Sequence, residues 1–196
     1  TILFNADLQV PLFNNIGSVP PPAFDPVVLA FSSRIIQLSI AGWVEEVLRA
    51  GPVEFTAGLR IDRLKYAFVD TTVVDPRAVL RVRLHERVVA NLASGFFHQQ
   101  PPFFNLVPGV QNPRLRPQRS WQTSAGVELN LPGSIETRFT GYFSRMYRLI
   151  RNSSDVISTP DGPQRVPIVD DGEGRAYGLE VLVRRRLDRG VYGWVS

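Results

Sequence analysis

Residues 120–148 read Ser-Trp-Gln-Thr-Ser-Ala-Gly-Val-Glu-Leu-Asn-Leu-Pro-Gly-Ser-Ile-Glu-Thr-Arg-Phe-Thr-Gly-Tyr-Phe-Ser-Arg-Met-Tyr-Arg, and this stretch decides the fold. In its first arm Trp121, Thr123, Ala125, Val127, Leu129 and Leu131 take every second position, with Gln122, Ser124, Gly126, Glu128 and Asn130 between them. After Pro132-Gly133-Ser134 the second arm sets Ile135, Thr137, Phe139, Gly141 and Phe143 against Glu136, Arg138, Thr140, Tyr142 and Ser144. Successive strand side chains point to opposite faces, so the alternation predicts two strands joined by a tight turn, each with an apolar and a polar face. Globular strands run about 5–6 residues, whereas a strand crossing a bilayer obliquely needs about 9–11. These arms have the second length, and a membrane-barrel hairpin is the expectation.

The neighbouring sequence repeats the unit. Residues 33–48 predict a strand, and the turn Ala50-Gly51-Pro52 leads into 53–65, where Phe55, Ala57, Leu59 and Ile61 alternate with Glu54, Thr56, Gly58, Arg60 and Asp62. Residues 40–50 could form about two amphipathic helical turns, but Gly42 and the strand-like residues before it favour a strand. A longer connection is predicted over 66–75. Then Ala78, Leu80, Val82 and Leu84 alternate with Val79, Arg81, Arg83 and His85, and a short turn at Glu86-Arg87 opens the strand 88–97. Long loops are predicted at 98–118 and 151–173, and the strand 174–186 turns at Leu187-Asp188-Arg189-Gly190. The stretch 11–31, with Pro20-Pro21-Pro22, reads as a further loop. Short and long connections alternate, as in outer-membrane barrels with short periplasmic turns and longer outer loops.

Composition narrows the classes. The 196 residues are 44% hydrophobic and 20% charged, a globular rather than disordered balance. No run approaches the roughly 20 apolar residues of a transmembrane helix. Cys is absent, so disulfides and Cys-based metal sites are excluded. The net charge of +4 raises nucleic acid as a partner. However, the cations are nearly all Arg, spaced singly on alternating strands as at Arg81, Arg83, Arg138 and Arg145, which reads as solvated lumen and rim charge. The chain starts at Thr1 without a signal peptide and stops at Gly193-Trp194-Val195-Ser196 within a strand-like run, so a piece of a longer protein is expected, too short to close a receptor-sized barrel.

Motifs for catalysis are missing. His85 falls on a polar strand face and reads as a solvated lumen residue, and His98 opens the loop His98-Gln99-Gln100-Pro101-Pro102-Phe103-Phe104, where it could touch a ligand at the outer mouth but a structural loop role is the preferred reading. Asp170-Asp171-Gly172-Glu173-Gly174 lacks the spaced ligands of an EF-hand and reads as a flexible acidic loop. Gly172, Gly174 and Gly178 miss the dinucleotide spacing and precede a strand. Asn152-Ser153-Ser154 is a formal glycosylation sequon without meaning in a bacterium. Glu128, Glu136 and Glu180 lie on polar strand faces. No catalytic residue, metal ligand or cofactor is assigned, and the chain is not expected to be an enzyme. Arg184-Arg185-Arg186 with Arg189 could bind a phosphate-bearing lipid, but a charged rim at the membrane boundary is the preferred reading. Trp43, Tyr66, Trp121, Tyr147, Tyr192 and Trp194 fit interfacial girdles, with ordinary cross-strand packing the alternative for some of them.

Several segments resemble the C-terminal barrel half of TonB-dependent outer-membrane receptors. Residues 174–185, Gly-Arg-Ala-Tyr-Gly-Leu-Glu-Val-Leu-Val-Arg-Arg, look like the family's G-x-A-x-G-x-E strand, whose glycine and glutamate face the lumen, and 193–196 resemble the strand that follows. Residues 75–81, 94–102 and 120–131 are similar to successive strands around its outer loops. The resemblance spans 33–196; it includes no plug domain, TonB box or C-terminal strand ending in an aromatic residue. It implies an all-β, antiparallel up-and-down transmembrane barrel of about 22 strands, with residues 1–196 supplying about eight or nine of them. It implies further an outer-membrane receptor importing a scarce nutrient such as a siderophore-bound metal, a cobalamin or a glycan. TonB would act through the plug, outer-membrane lipid and the small nutrient ligand being the other partners. Loops 98–118 and 151–173 are the expected ligand-facing surfaces, although loop composition singles out no binding residue. A passive porin and, from another class, a soluble all-β binding module are the alternatives.

Overall fold

The computed structural model describes residues 2–9, 12–19, 29–106, 112–154, 156–159, 162–165, 167–185 and 193–195. In chain order the strands are β1 (Ile2–Gln9), β2 (Leu12–Val19), β3 (Leu29–Ala50), β4 (Val53–Tyr66), β5 (Val69–His85), β6 (Val88–Gln99), β7 (Gln118–Leu131), β8 (Ile135–Asn152), β9 (Val156–Thr159), β10 (Gly162–Arg165), β11 (Ile168–Arg185) and β12 (Gly193–Val195). A single 3₁₀ turn, Phe103–Leu106, interrupts them among the described residues. One antiparallel sheet runs β1-β3-β4-β5-β6-β7-β8-β11-β12; β2 pairs with the first half of β3, and β9 with β10 makes a separate hairpin. This is the up-and-down order expected of a barrel wall, and residues 40–50 are strand throughout.

The register sorts the two faces. Partners across a ladder share a face, so Val127, Phe139 and Val181 form one outward row and Gly126, Thr140 and Glu180 the adjacent inward row. Phe55, Leu59, Ile61, Leu92, Phe139, Leu179 and Val181 are all exposed on the outward side. Such a continuous apolar face in water would be an aggregation surface; against lipid it is the contact layer. The face also ends sharply. Along β4 Phe55, Ala57, Leu59 and Ile61 give way to Arg63 and Lys65; along β8 Phe139, Gly141 and Phe143 give way to Arg145 and Tyr147. From Val53 to Ile61 the apolar run spans the about 9–11 residues that a tilted crossing needs.

The strands extend past this band at one end, and several sequence expectations change there. The predicted connection over 66–75 is a two-residue turn, Ala67-Phe68, with β5 running from Val69. Above the bilayer the outward face can be polar, so Asp70 and Thr72 continue the strand while Val69 and Val73 pack inward. Ala67 takes φ 46° in this tip. The predicted loop 11–31 contains β2, paired with residues 29–36, while residues 20–28 lie outside the described ones. The predicted loop 151–173 shrinks too, because β8 runs to Asn152, β11 begins at Ile168 and β9–β10 lies between.

Candidate functional site

The polar face carries the chemistry. Near the short-turn end a ladder of charges from four strands reaches across β6: Arg81 Nη2 of β5 lies 3.0 Å from Glu128 Oε2 of β7, and Arg138 Nη2 of β8 lies 3.0 Å from Glu128 Oε1. Arg138 also reaches Glu136 at 3.6 Å, and Arg184 of β11 closes on Glu136 at 2.5 Å. Both carboxylates are nearly buried, which requires that each be paired. Alternation alone puts Glu128, Arg138, Glu136 and Arg184 on one face, but only the register brings them into contact. Farther along, Arg77 of β5 lies against Gly58 and Gly95 and bonds Glu45 of β3 at 3.0 Å. A hollow of about 320 Å³ opens beside it, lined by Arg77, Gly95, Phe97, Gln122, Tyr142 and Ser144 among others.

The long-connection end is a small core. Leu64 and Tyr66 continue the inward row of β4, and Leu106, Leu115 and Ile168 are buried against them. Phe103–Leu106 and residues 112–117 therefore fold over the inward face. Tyr66 donates its hydroxyl to the Leu115 carbonyl at 3.0 Å, Asn112 donates to the Ile168 carbonyl at 3.0 Å, and Arg116 Nε bonds Asp170 at 2.7 Å. Burial pushes the Tyr66 hydroxyl well above the usual phenol range, with the Asp170 carboxylate adding to the effect. Burial would raise the Asp170 carboxyl as well, but the hydrogen bonds from Arg116 hold it below its ordinary value.

Individual sequence expectations fare unevenly. Gly174, Ala176, Gly178 and Glu180 do face inward, sharing rows with Met146, Ser144, Tyr142 and Thr140. His98 is not a free loop residue. It sits near the end of β6, one-tenth exposed, with Nδ1 on the Asp75 carboxylate and Nε2 3.8 Å from Asp62, which Arg60 grips with two hydrogen bonds. The carboxylates occupy opposite ring nitrogens, and among the described residues no His/Cys/Asp/Glu group can hold a metal. His85 is exposed, as expected. Asp170, Asp171 and Glu173 are no flexible loop; they belong to β11 and pair with Arg116, Arg151 and Arg145.

The aromatic and basic clusters also divide. Trp121 and Tyr147 lie outward at the band's edge, whereas Tyr66 is buried in the end core. Trp43 shares the inward row of Arg60, whose guanidinium lies 5.7 Å from the ring, and Trp194 pairs with Arg184 on that face. Arg184 is thus an inward ladder member and Arg185 an outward one; Arg186, Arg189 and Tyr192 lie outside the described residues. Sequence reasoning missed Asp62, Asp75 and Arg77, because nothing in their spacing shows that distant strands bring partners to them.

The sheet is similar to solved barrels. The FrpB iron transporter from Neisseria meningitidis superposes with a TM-score of 0.63 at 16% identity, over 80% of this chain and 24% of that one. The copper transporter OprC gives 0.68 at 14% identity, over 95% and 32%. The siderophore receptor PirA from Pseudomonas aeruginosa gives 0.68 at 16% identity, over 97% and 37%. The chain thus spans between about a quarter and two-fifths of these proteins' lengths. No match was found among curated proteins. At such identities the likeness establishes the fold, an antiparallel barrel wall. The model of the family described as TonB dependent receptor-like, beta-barrel matches residues 3–196, and the chain belongs to that family.

Proposed function

We propose that the chain forms part of the wall of an outer-membrane receptor that imports a scarce nutrient, with energy supplied through TonB. The observation that carries this reading is the packing of Phe103, Leu106 and Leu115 with Leu64 and Tyr66 on the inward face at the long-connection end, within a barrel of the receptor family. A passive channel has no need to fill its mouth with a packed segment. The candidate cargoes are a siderophore-bound metal, a cobalamin or a glycan; neighbours named as iron, copper and siderophore proteins support the metal classes. The working partners are outer-membrane lipid on the apolar face, the small ligand on the inward side, and TonB through the plug region of the full-length receptor. Nucleic acid is not among them, since the arginines are largely spent on carboxylates across the strands.

Uptake by cells decides the matter. The full-length gene is expressed in an outer-membrane host lacking its own receptors, with and without TonB, and offered labelled ferric siderophores, cobalamin and maltodextrins. The expected result is saturable accumulation of one class, only when TonB is present. Uptake indifferent to TonB, with open conductance in planar bilayers, would instead support the porin. A full-length protein that stays monomeric in water without detergent would sink both membrane readings.

A further inference from the structure

Between the charge ladder and the packed outer end the inward face changes character. Its successive rows hold Gln99 with Gln118, Phe97 with Ser120 and Met146, Gln122 with Ser144, and Ser124 with Tyr142. Two hollows, of about 320 and 250 Å³, adjoin here and share Phe97, Gln122 and Ser144 in their linings. We propose that this trough binds an uncharged, hydroxyl-rich ligand, a carbohydrate whose rings stack on Tyr142 and Phe97. Such a site presupposes the receptor reading above and narrows its cargo to the glycan class.

The stacking surface is built by a glycine. A Cβ on Gly178 would stand 2.7 Å from the Tyr142 hydroxyl and 2.9 Å from its Cε1 and Cζ, so the ring lies directly on the bare backbone of β11. Its remaining surface, 39% exposed, meets the lumen. Phe97 is 42% exposed on the same side, an apolar ring among polar neighbours. Open rings on a polar wall suit a ligand with an apolar face and a polar rim, and a pyranose has both.

Charge separates this ligand from an anionic metal chelate. The basic side chains of the two linings are Arg77, His98 and Arg119. Arg77 bonds Glu45 at 3.0 Å and His98 is held by the Asp75 carboxylate. Arg119 turns its guanidinium to the outward Phe96 ring, 4.5 Å away, and to the Val74 carbonyl at 2.8 Å. An anion entering the trough would lose water without gaining an unpaired cation. Sugar hydroxyls both donate and accept, and the amides of Gln99, Gln118 and Gln122 and the hydroxyls of Ser120 and Ser144 do the same. Gln122 is already oriented, since its Nε2 donates to Ser120 Oγ at 3.1 Å. At 14–16% identity to the copper and siderophore barrels, the fold is shared and this lining is the chain's own.

The test uses the purified full-length receptor in a zwitterionic, sugar-free detergent, titrated calorimetrically with maltoheptaose, xylohexaose, a ferric tris-catecholate complex and cyanocobalamin. At least one oligosaccharide should bind, and the ferric complex and the cobalamin should not. Tyr142→Ala should weaken that binding about tenfold or more, whereas Tyr142→Phe, which keeps the ring, should stay within about threefold of the parent. Arg175→Gln, on the outward face of β11, should bind as the parent does. Silence from both oligosaccharides, a ferric complex or cobalamin bound as tightly as the sugar, or unchanged affinity in Tyr142→Ala would each overturn the proposal. If Tyr142→Ala fails to fold, judged by heat-modifiable gel mobility, Gln122→Leu removes the amide at similar volume; the same loss is expected, and full affinity overturns the assignment. Cell uptake separates the two readings. TonB-independent entry of the bound sugar sinks the receptor and leaves the trough, while TonB-dependent entry of the ferric complex alone keeps the receptor and sinks the trough.

Discussion

Single residues show how tightly the inward face is fitted. A Cβ built on Gly126 would stand 2.6 Å from the Phe139 carbonyl oxygen, a backbone atom that cannot step aside. At Gly178 the corresponding contact is 2.7 Å, but to the Tyr142 hydroxyl, at the end of a side chain that can rotate. Gly126→Ala should therefore destabilise the barrel by about 1–3 kcal/mol, an overpacking cost, and Gly178→Ala by about 0.5–1.5 kcal/mol, the range for an off-rotamer shift. Urea unfolding in micelles would rank the two, and equal costs would contradict this packing. Alternation alone places both glycines on the polar face. Which one meets backbone depends on register, and no local pattern encodes that.

Elements act through their cross-strand partners. Glu128 and Glu136 share Arg138, so removing one carboxylate changes what the other is worth. A double-mutant cycle of Glu128→Gln and Glu136→Gln should give an interaction energy of about 0.5–3 kcal/mol; strict additivity would mean that the ladder is not a network. Residues 112–117 depend on Tyr66 and Asp170 in the same way. Tyr66→Phe leaves the Leu115 carbonyl without its donor and should loosen the segment by about 1–3 kcal/mol, read as faster hydrogen exchange over 112–117. The Asp170 carboxyl titrates lower when folded than when unfolded, so its contribution is present above about pH 4, the unfolded value, and fades as pH falls through the folded one. Protection from exchange over 112–117, relative to the intrinsic rate at each pH, should thus be high at neutral pH and fall in acid, and in Asp170→Asn it should be low at both. An Asp170→Asn variant as protected as the parent at neutral pH would refute the anchoring role. The loop was legible as a loop; its anchors were not, because Leu115 and Ile168 are far apart in sequence and look alike until they touch.

At the scale of the molecule the sheet divides lipid from lumen, and neighbouring positions should answer differently to the same charge. Leu179→Arg puts a cation mid-band on the outward face and should cost about 2–4 kcal/mol in a bilayer. Glu180→Arg, one residue later on the inward face, should be close to neutral for stability. Folding yield into liposomes would separate them, and equal sensitivity would mean that the faces are misassigned. This two-faced wall was determined by the sequence alone, since a period of two over bilayer-length arms has no other economical meaning and the residues that lie on each face follow from it. The tertiary structure decided everything that depends on which strand lies beside which. It joined Arg81 to Arg184 through two glutamates, set His98 between Asp62 and Asp75, packed Leu106 and Leu115 against Tyr66 and aligned Arg145 with Arg175. Alternation is local, set by the geometry of one extended chain, whereas contacts between strands depend on register, which the turns and the packing at the outer end settle together.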